Sequence, residues 1–229
     1  MCISAAYQLA PENPFPAAPK SAWDCLKWAA ANAKSLGADP SLGFVIGGTS
    51  AGGNLTAVLT HQARDEKLSP PLTGQYLAVP AVLPAAVVPE KYKEFYLSYE
   101  QDENTSVLGK ATVDMLMKAY KPDEHDPLYA PFNHPKGHAD LPPAYFQVNG
   151  MDPLRDEALI YERVLREEYG IKTKLDMYPG LPHGFWSLFP MLKSSEKFRV
   201  DMVEGMGWLL GRKPEMDKIK TAKVEGAVV

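Results

Sequence analysis

The chain has 229 residues and a formal net charge of −4, with 45% hydrophobic and 23% charged residues. That length suits one α/β domain with a substantial core. Lysine and arginine are interspersed with aspartate and glutamate, so there is no basic face for nucleic acid. No apolar run approaches the roughly 18 residues of a membrane span, and the opening Met1-Cys2-Ile3-Ser4-Ala5-Ala6-Tyr7 has neither a basic n-region nor an apolar h-region, so the chain reads as cytoplasmic. Cys2 and Cys25 form neither a disulfide framework nor a metal pattern, and Cys25 is expected in the core.

In chain order, residues 2–7 are expected as a buried strand, followed by a proline-punctuated turn through Pro16. Ala18, Ala22, Cys25, Leu26, Ala29 and Ala33 recur at helical spacing, and Gly37 and Asp39-Pro40 end that helix. Phe44-Val45-Ile46 reads as a strand that turns sharply into a helix running to about Glu66. Gln75 to Val79 is a short buried strand, and this alternation implies parallel crossovers. Residues 80–142 break the rhythm with scattered prolines and one amphipathic helix around Val113, Met117 and Tyr120, as expected of an insertion that roofs a site. Ala144 to Val148 resumes the sheet, Leu154 to Tyr169 forms a helix closed by Gly170, and Ile171 to Tyr178 alternates like an edge strand with one wet face. Phe198, Met202, Met206 and Leu209 define a closing helix, and residues 211–229 are expected as a solvated tail.

The chemistry concentrates at Gly48-Thr49-Ser50-Ala51-Gly52. A strand turned into a helix this abruptly strains its apex residue, and small neighbours two places away on either side make the strain tolerable. The Ser50 hydroxyl then projects clear of the sheet, and the Ala51 amide points where a negative oxygen would develop, the arrangement of an acyl-transfer nucleophile. Gly53-Asn54-Leu55 lacks the Gly-Lys-Ser/Thr ending of a phosphate loop, and Gly47-Gly48-Thr49 does not begin a dinucleotide fingerprint.

A serine hydroxyl needs a base, and the base needs a carboxylate to fix its tautomer. In a parallel sheet these groups gather beyond the carboxyl ends of strands. Asp152 and His183 stand there, giving the order Ser, Asp, His. Asp152, before Pro153, could also be a plain helix cap, which leaves Asp156 as the reserve acid. His61 is mid-helix, while His125, His134 and His138 fall in the polar insertion. Phe185, Trp186, Met117 and Tyr120 suggest an apolar substrate pocket.

Tyr7-Gln8-Leu9-Ala10-Pro11-Glu12, Gly48-Thr49-Ser50-Ala51-Gly52-Gly53-Asn54, Asp152-Pro153-Leu154-Arg155-Asp156-Glu157 and His183-Gly184-Phe185 together resemble the hormone-sensitive-lipase-like branch of the α/β-hydrolases, over nearly the whole chain. The resemblance implies an α/β-hydrolase fold, a mostly parallel sheet flanked by helices, across residues 1–210, with 80–142 as a cap-like insertion. It also implies hydrolysis of small to medium acyl esters of hydrophobic alcohols without metal or cofactor, with Ser50, Asp152 and His183 as the triad and Ala51 and Gly52 at the oxyanion site. Gln8 stands where the family usually has arginine, and Thr49 where it often has aspartate. The family's His-Gly-Gly-Gly motif, the other arm of its oxyanion hole, occurs nowhere in the sequence. The expectation is an N-terminally truncated relative lacking the family's first strands, in which the sheet edge beside Phe44 to Ile46 is unpaired or covered by residues 2–7. A non-catalytic small-molecule-binding relative or an inactive fragment is the alternative.

Overall fold

Four parallel strands lie in chain order across one sheet: β1 (Val45–Thr49), β2 (Gly74–Ala78), β3 (Ala144–Met151) and β4 (Thr173–Pro182). The structure, a computed structural model, describes residues 1–105 and 107–216; Ser106 and the expected tail beyond residue 216 lie outside the described residues. The helices are α1 (Ala17–Asn32), α2 (Ala51–Asp65), α3 (Ser98–Gln101), α4 (Lys110–Tyr120), α5 (Arg155–Glu167), α6 (Phe185–Leu188) and α7 (Lys193–Leu209).

The two-residue period of the strands sorts side chains to opposite faces. Leu77 on β2 and Ala144, Phe146 and Val148 on β3 meet Ala57 of α2 and Ala158, Tyr161 and Leu165 of α5. Tyr76, Ala78 and Tyr145 turn the other way, toward Phe198 and Leu209 of α7. Helix α1 packs Ala18, Ala22, Trp23 and Leu26 onto Leu55, Leu59 and Ala63 of α2. Every residue of β2 is buried, as befits a strand covered on both faces.

Three expectations change. Residues 2–7 form no strand: they run exposed and pair with no strand, and only Tyr7 packs against the α1–α2 cluster. The outer edge of β1 is left unpaired among the described residues. Strand β4 is the other edge, as expected, but Leu175 and Met177 are its exposed side chains, at 37% and 41%. The opposite side is held by polar contacts instead, with Tyr145 Oη donating to Asp176 Oδ2 at 2.9 Å and Lys174 Nζ 4.7 Å over the Tyr145 ring. Cys25 is only half-buried and is a free thiol.

Between β2 and β3 the chain winds through short helical turns and the helices α3 and α4. None of the α4 residues is buried. The helix lies over a cavity of about 490 Å3, to which it contributes Val113, Leu116, Met117 and Tyr120.

Candidate active site

Ser50 sits at the junction of β1 and α2 with φ 56° and ψ −116°, a backbone conformation that L-residues rarely adopt. The surrounding structure holds it there: its amide donates to Ala78 O at 2.8 Å, and its carbonyl accepts the first α2 hydrogen bond from Asn54 N at 2.9 Å. The two flanking glycines differ in need. A Cβ on Gly48 would collide with the Gly52 backbone, whereas one on Gly52 would meet nothing within 4 Å. Close approach therefore requires glycine at 48 and leaves 52 open, which corrects the expectation that both are needed. Ala51 and Gly52 occupy the first turn of α2, where amides lack intrahelical partners and the helix dipole favours negative charge.

The carboxyl ends of β3 and β4 bring the partners in. His183 Nε2 lies 3.0 Å from Ser50 Oγ, and His183 Nδ1 lies 2.7 Å from Asp152 Oδ2. Asp152 is 0% exposed and its other oxygen accepts the Leu154 amide at 3.0 Å, so it is both turn former and histidine partner. The carboxylate fixes the ring proton on Nδ1, which leaves the Nε2 lone pair to accept the Ser50 hydroxyl proton.

The reserve acid is engaged elsewhere. Asp156 Oδ2 accepts the amides of Leu97 and Ser98 at 2.8 and 2.7 Å, and Oδ1 accepts from Arg155 Nε at 2.7 Å. Burial pushes the Asp156 pKa up, but the Arg155 guanidinium and those two amides outweigh it, and the net shift is downward. The same network braces the Asp152 loop: Arg155 Nη1 donates to Gly150 O at 2.9 Å and Ser98 Oγ to Pro153 O at 2.9 Å. On the histidine side, Asn149 Nδ2 donates to Pro182 O at 2.9 Å, immediately before His183. The sequence does not single out Ser98 or Asn149, although both are polar residues that the fold buries completely.

Ser50 and Ala51 open onto the cavity beneath α4, with Leu55, Pro84, Tyr96, Leu108 and Leu154 among its other walls. Met117 and Tyr120 of the expected pocket line it. Phe185 and Trp186 do not: Phe185 is fully buried in the α7-side core, and Trp186 stacks on Phe198 with centroids 3.9 Å apart. The one-turn helix α6 turns both rings away from the cavity and toward α7. Among the described residues no group of three or more His, Cys, Asp or Glu could hold a metal ion, and no helix is long and apolar enough to cross a membrane.

The sequence profile of the α/β-hydrolase fold family matches residues 1–187. The chain belongs to that family, in its hormone-sensitive-lipase-like branch. An AB hydrolase superfamily protein of Schizosaccharomyces pombe is 42% identical over 217 residues, which cover 95% of this chain and 64% of that protein. The versiconal hemiacetal acetate esterase of Dothistroma septosporum is 34% identical over 211 residues, covering 92% of this chain and 64% of the esterase. The crystal structure of vibralactone cyclase superposes with a TM-score of 0.86 at 43% identity, covering 90% of this chain and 60% of the cyclase. The chain thus spans a little under two thirds of the length of these α/β-hydrolase relatives.

Proposed function

We propose that the chain carries the reaction centre of a serine hydrolase that cleaves carboxylic esters of small to medium acyl chains. The observation that carries this reading is the unbroken hydrogen-bond chain from Ser50 through His183 to Asp152, opening on an apolar cavity. Ser50 Oγ attacks the ester carbonyl carbon as His183 Nε2 takes its proton. The carbonyl oxygen becomes an oxyanion against the Ala51 amide, and Asp152 stabilises the imidazolium. Collapse of the tetrahedral adduct breaks the bond to the alcohol oxygen, which leaves with the proton from His183. Water, deprotonated by His183, then hydrolyses the acyl-serine and frees the acid. In this reading residues 1–210 are the hydrolase domain, and 80–142 a cap-like insertion that shapes the pocket. Hydrolysis of 4-nitrophenyl butyrate tests it: turnover that disappears in Ser50→Ala is the expected result, and turnover that survives the substitution rejects Ser50 as nucleophile.

A further inference from the structure

The cavity beneath α4 is walled mostly by apolar side chains; besides Ser50, its polar lining includes the exposed or half-buried Gln8, Tyr99 and Glu124 and, deeper in the wall, two buried polar residues. Glu157, in the first turn of α5, lines it while being only 3% exposed. Its Oε2 accepts the amides of Val82 and of Leu83, the latter at 2.6 Å. Its Oε1 accepts no hydrogen bond from any described side chain or amide. Asn54 is the same kind of residue: it lines the cavity, is 5% exposed, and spends both Nδ2 protons on Ala81 O and Tyr129 O, each at 2.7 Å, which leaves Oδ1 free. The consecutive residues Ala81, Val82 and Leu83 anchor both side chains, Ala81 through its carbonyl to Asn54 and Val82 and Leu83 through their amides to Glu157, so the two polar residues are tied to one three-residue stretch beside the cavity.

We propose that Asn54 and Glu157 form a polar floor that binds a hydroxyl group carried by the substrate beyond its ester carbon. This deepens the ester-cleaving reading and rests on it. The chemistry of the two groups selects the ligand. Two N–H donors converge on Glu157 Oε2, so when the carboxyl is protonated its proton sits on Oε1, the oxygen left without a partner. Burial drives that pKa up to about 8 against the lowering effect of the Leu83 and Val82 amides, and the charge of Asp152 adds to the rise, which favours the acid form at neutral pH. A hydroxyl accepts from Glu157 Oε1–H and donates to Asn54 Oδ1 at once. A plain alkyl chain leaves both buried groups unpaired, which is costly. The hydroxyls of Tyr96 and Tyr129 do not compete as donors, since Tyr96 Oη donates to Leu83 O and Tyr129 Oη to Met117 Sδ.

The hydroxyl can come from either side of the ester, and two ligand pairs separate the cases. Dissociation constants are measured on the Ser50→Ala protein for ethyl hexanoate against ethyl 6-hydroxyhexanoate, and for hexyl acetate against 6-hydroxyhexyl acetate. The expected result is about 10-fold tighter binding of the hydroxylated partner in at least one pair, the worth of a buried hydrogen bond. That preference should fall to about 1 in Ser50→Ala/Glu157→Met. Equal affinities in both pairs, no binding of any of the four, or a preference that survives Glu157→Met overturns the floor. If the double variant does not fold, the ligand pairs on the intact floor still decide. Turnover of ethyl hexanoate by the unsubstituted protein is read separately: turnover with equal affinities removes the floor and leaves the ester reading, whereas a hydroxyl preference without turnover supports the floor and removes the ester reading.

Discussion

Gly48 and Gly52 face each other across the Ser50 turn so closely that a Cβ built on Gly48 would stand 2.3 Å from the Gly52 carbonyl carbon. The relation is one-sided, since a Cβ on Gly52 would point into open space. Gly48→Ala should therefore destabilise the fold by about 1–3 kcal/mol or more, because backbone rather than a pliable side chain must give way. Gly52→Ala, within the first turn of α2, should be neutral or stabilising by up to ~1 kcal/mol. Urea unfolding of the two variants checks the contrast, and equal losses would contradict the geometry.

Asp152 and Asp156 stand four residues apart and should fail in different ways. Asp152→Asn keeps a side chain of the same shape but disturbs the His183 tautomer, so ester turnover should drop roughly 1,000- to 10,000-fold with little change in unfolding. Asp156→Ala strands the Leu97 and Ser98 amides and the Arg155 guanidinium, and should cost about 2–4 kcal/mol. Kinetics and denaturation measured on both variants would expose a wrong assignment of the acid if the pattern were reversed.

Much of this was legible in the sequence because local chemistry dictated it. The apolar run before Gly48, the helical rhythm after Leu55, and the strand-end positions of Asp152 and His183 each follow from residue type and spacing. What failed depended on partners that the sequence does not name. Residues Cys2 to Tyr7 have the composition of a strand but do not pair with the free edge of β1. Phe185 and Trp186 follow His183 directly, yet a one-turn helix turns them into the core. Glu157 enters the sequence reading only as the last residue of the Asp152 to Glu157 motif, although it carries a signal of its own, a carboxylate on the stripe of Leu154, Ala158, Tyr161 and Leu165 where apolar residues are expected.

The histidine pair is another long-range feature. His61 and His138 are 1% and 3% exposed, and His61 Nε2 lies 2.9 Å from His138 Nδ1, although the sequence placed His138 in a polar insertion. Burial holds the His61 pKa down to about 3, despite its bond to Ala57 O, and that of His138 down to about 4, with His134 and Arg64 adding to both shifts. In the unfolded chain both bind protons below about pH 6.5. Their contribution to stability is therefore full above that pH and is lost as pH falls through the window between 6.5 and 3–4, by a few kcal/mol. Replacing both as His61→Leu/His138→Phe should flatten the pH dependence of urea unfolding between pH 7 and 4.5. An unchanged slope would contradict the shifts.

In the proposed mechanism the Ala51 amide is one oxyanion donor beside Ser50, and the sequence contains no His-Gly-Gly-Gly segment. Loss of one oxyanion donor costs about 2.7–4 kcal/mol, or roughly 100- to 1,000-fold in rate. The 229 residues by themselves should hydrolyse 4-nitrophenyl butyrate slowly, and a chain extended upstream with a His-Gly-Gly-Gly segment should be faster by about that factor. Equal, rapid turnover by both would mean that another backbone donor faces the oxyanion.

The central claim is that His183, oriented by Asp152, makes Ser50 nucleophilic, and a covalent probe tests it even where turnover is slow. The protein is incubated with an alkyl fluorophosphonate, digested, and the modified peptide identified by mass spectrometry. The account requires one adduct, on Ser50, whose rate of formation falls at least 100-fold in His183→Ala. No adduct, an adduct on another residue, or labelling of Ser50 that is indifferent to His183 would contradict it.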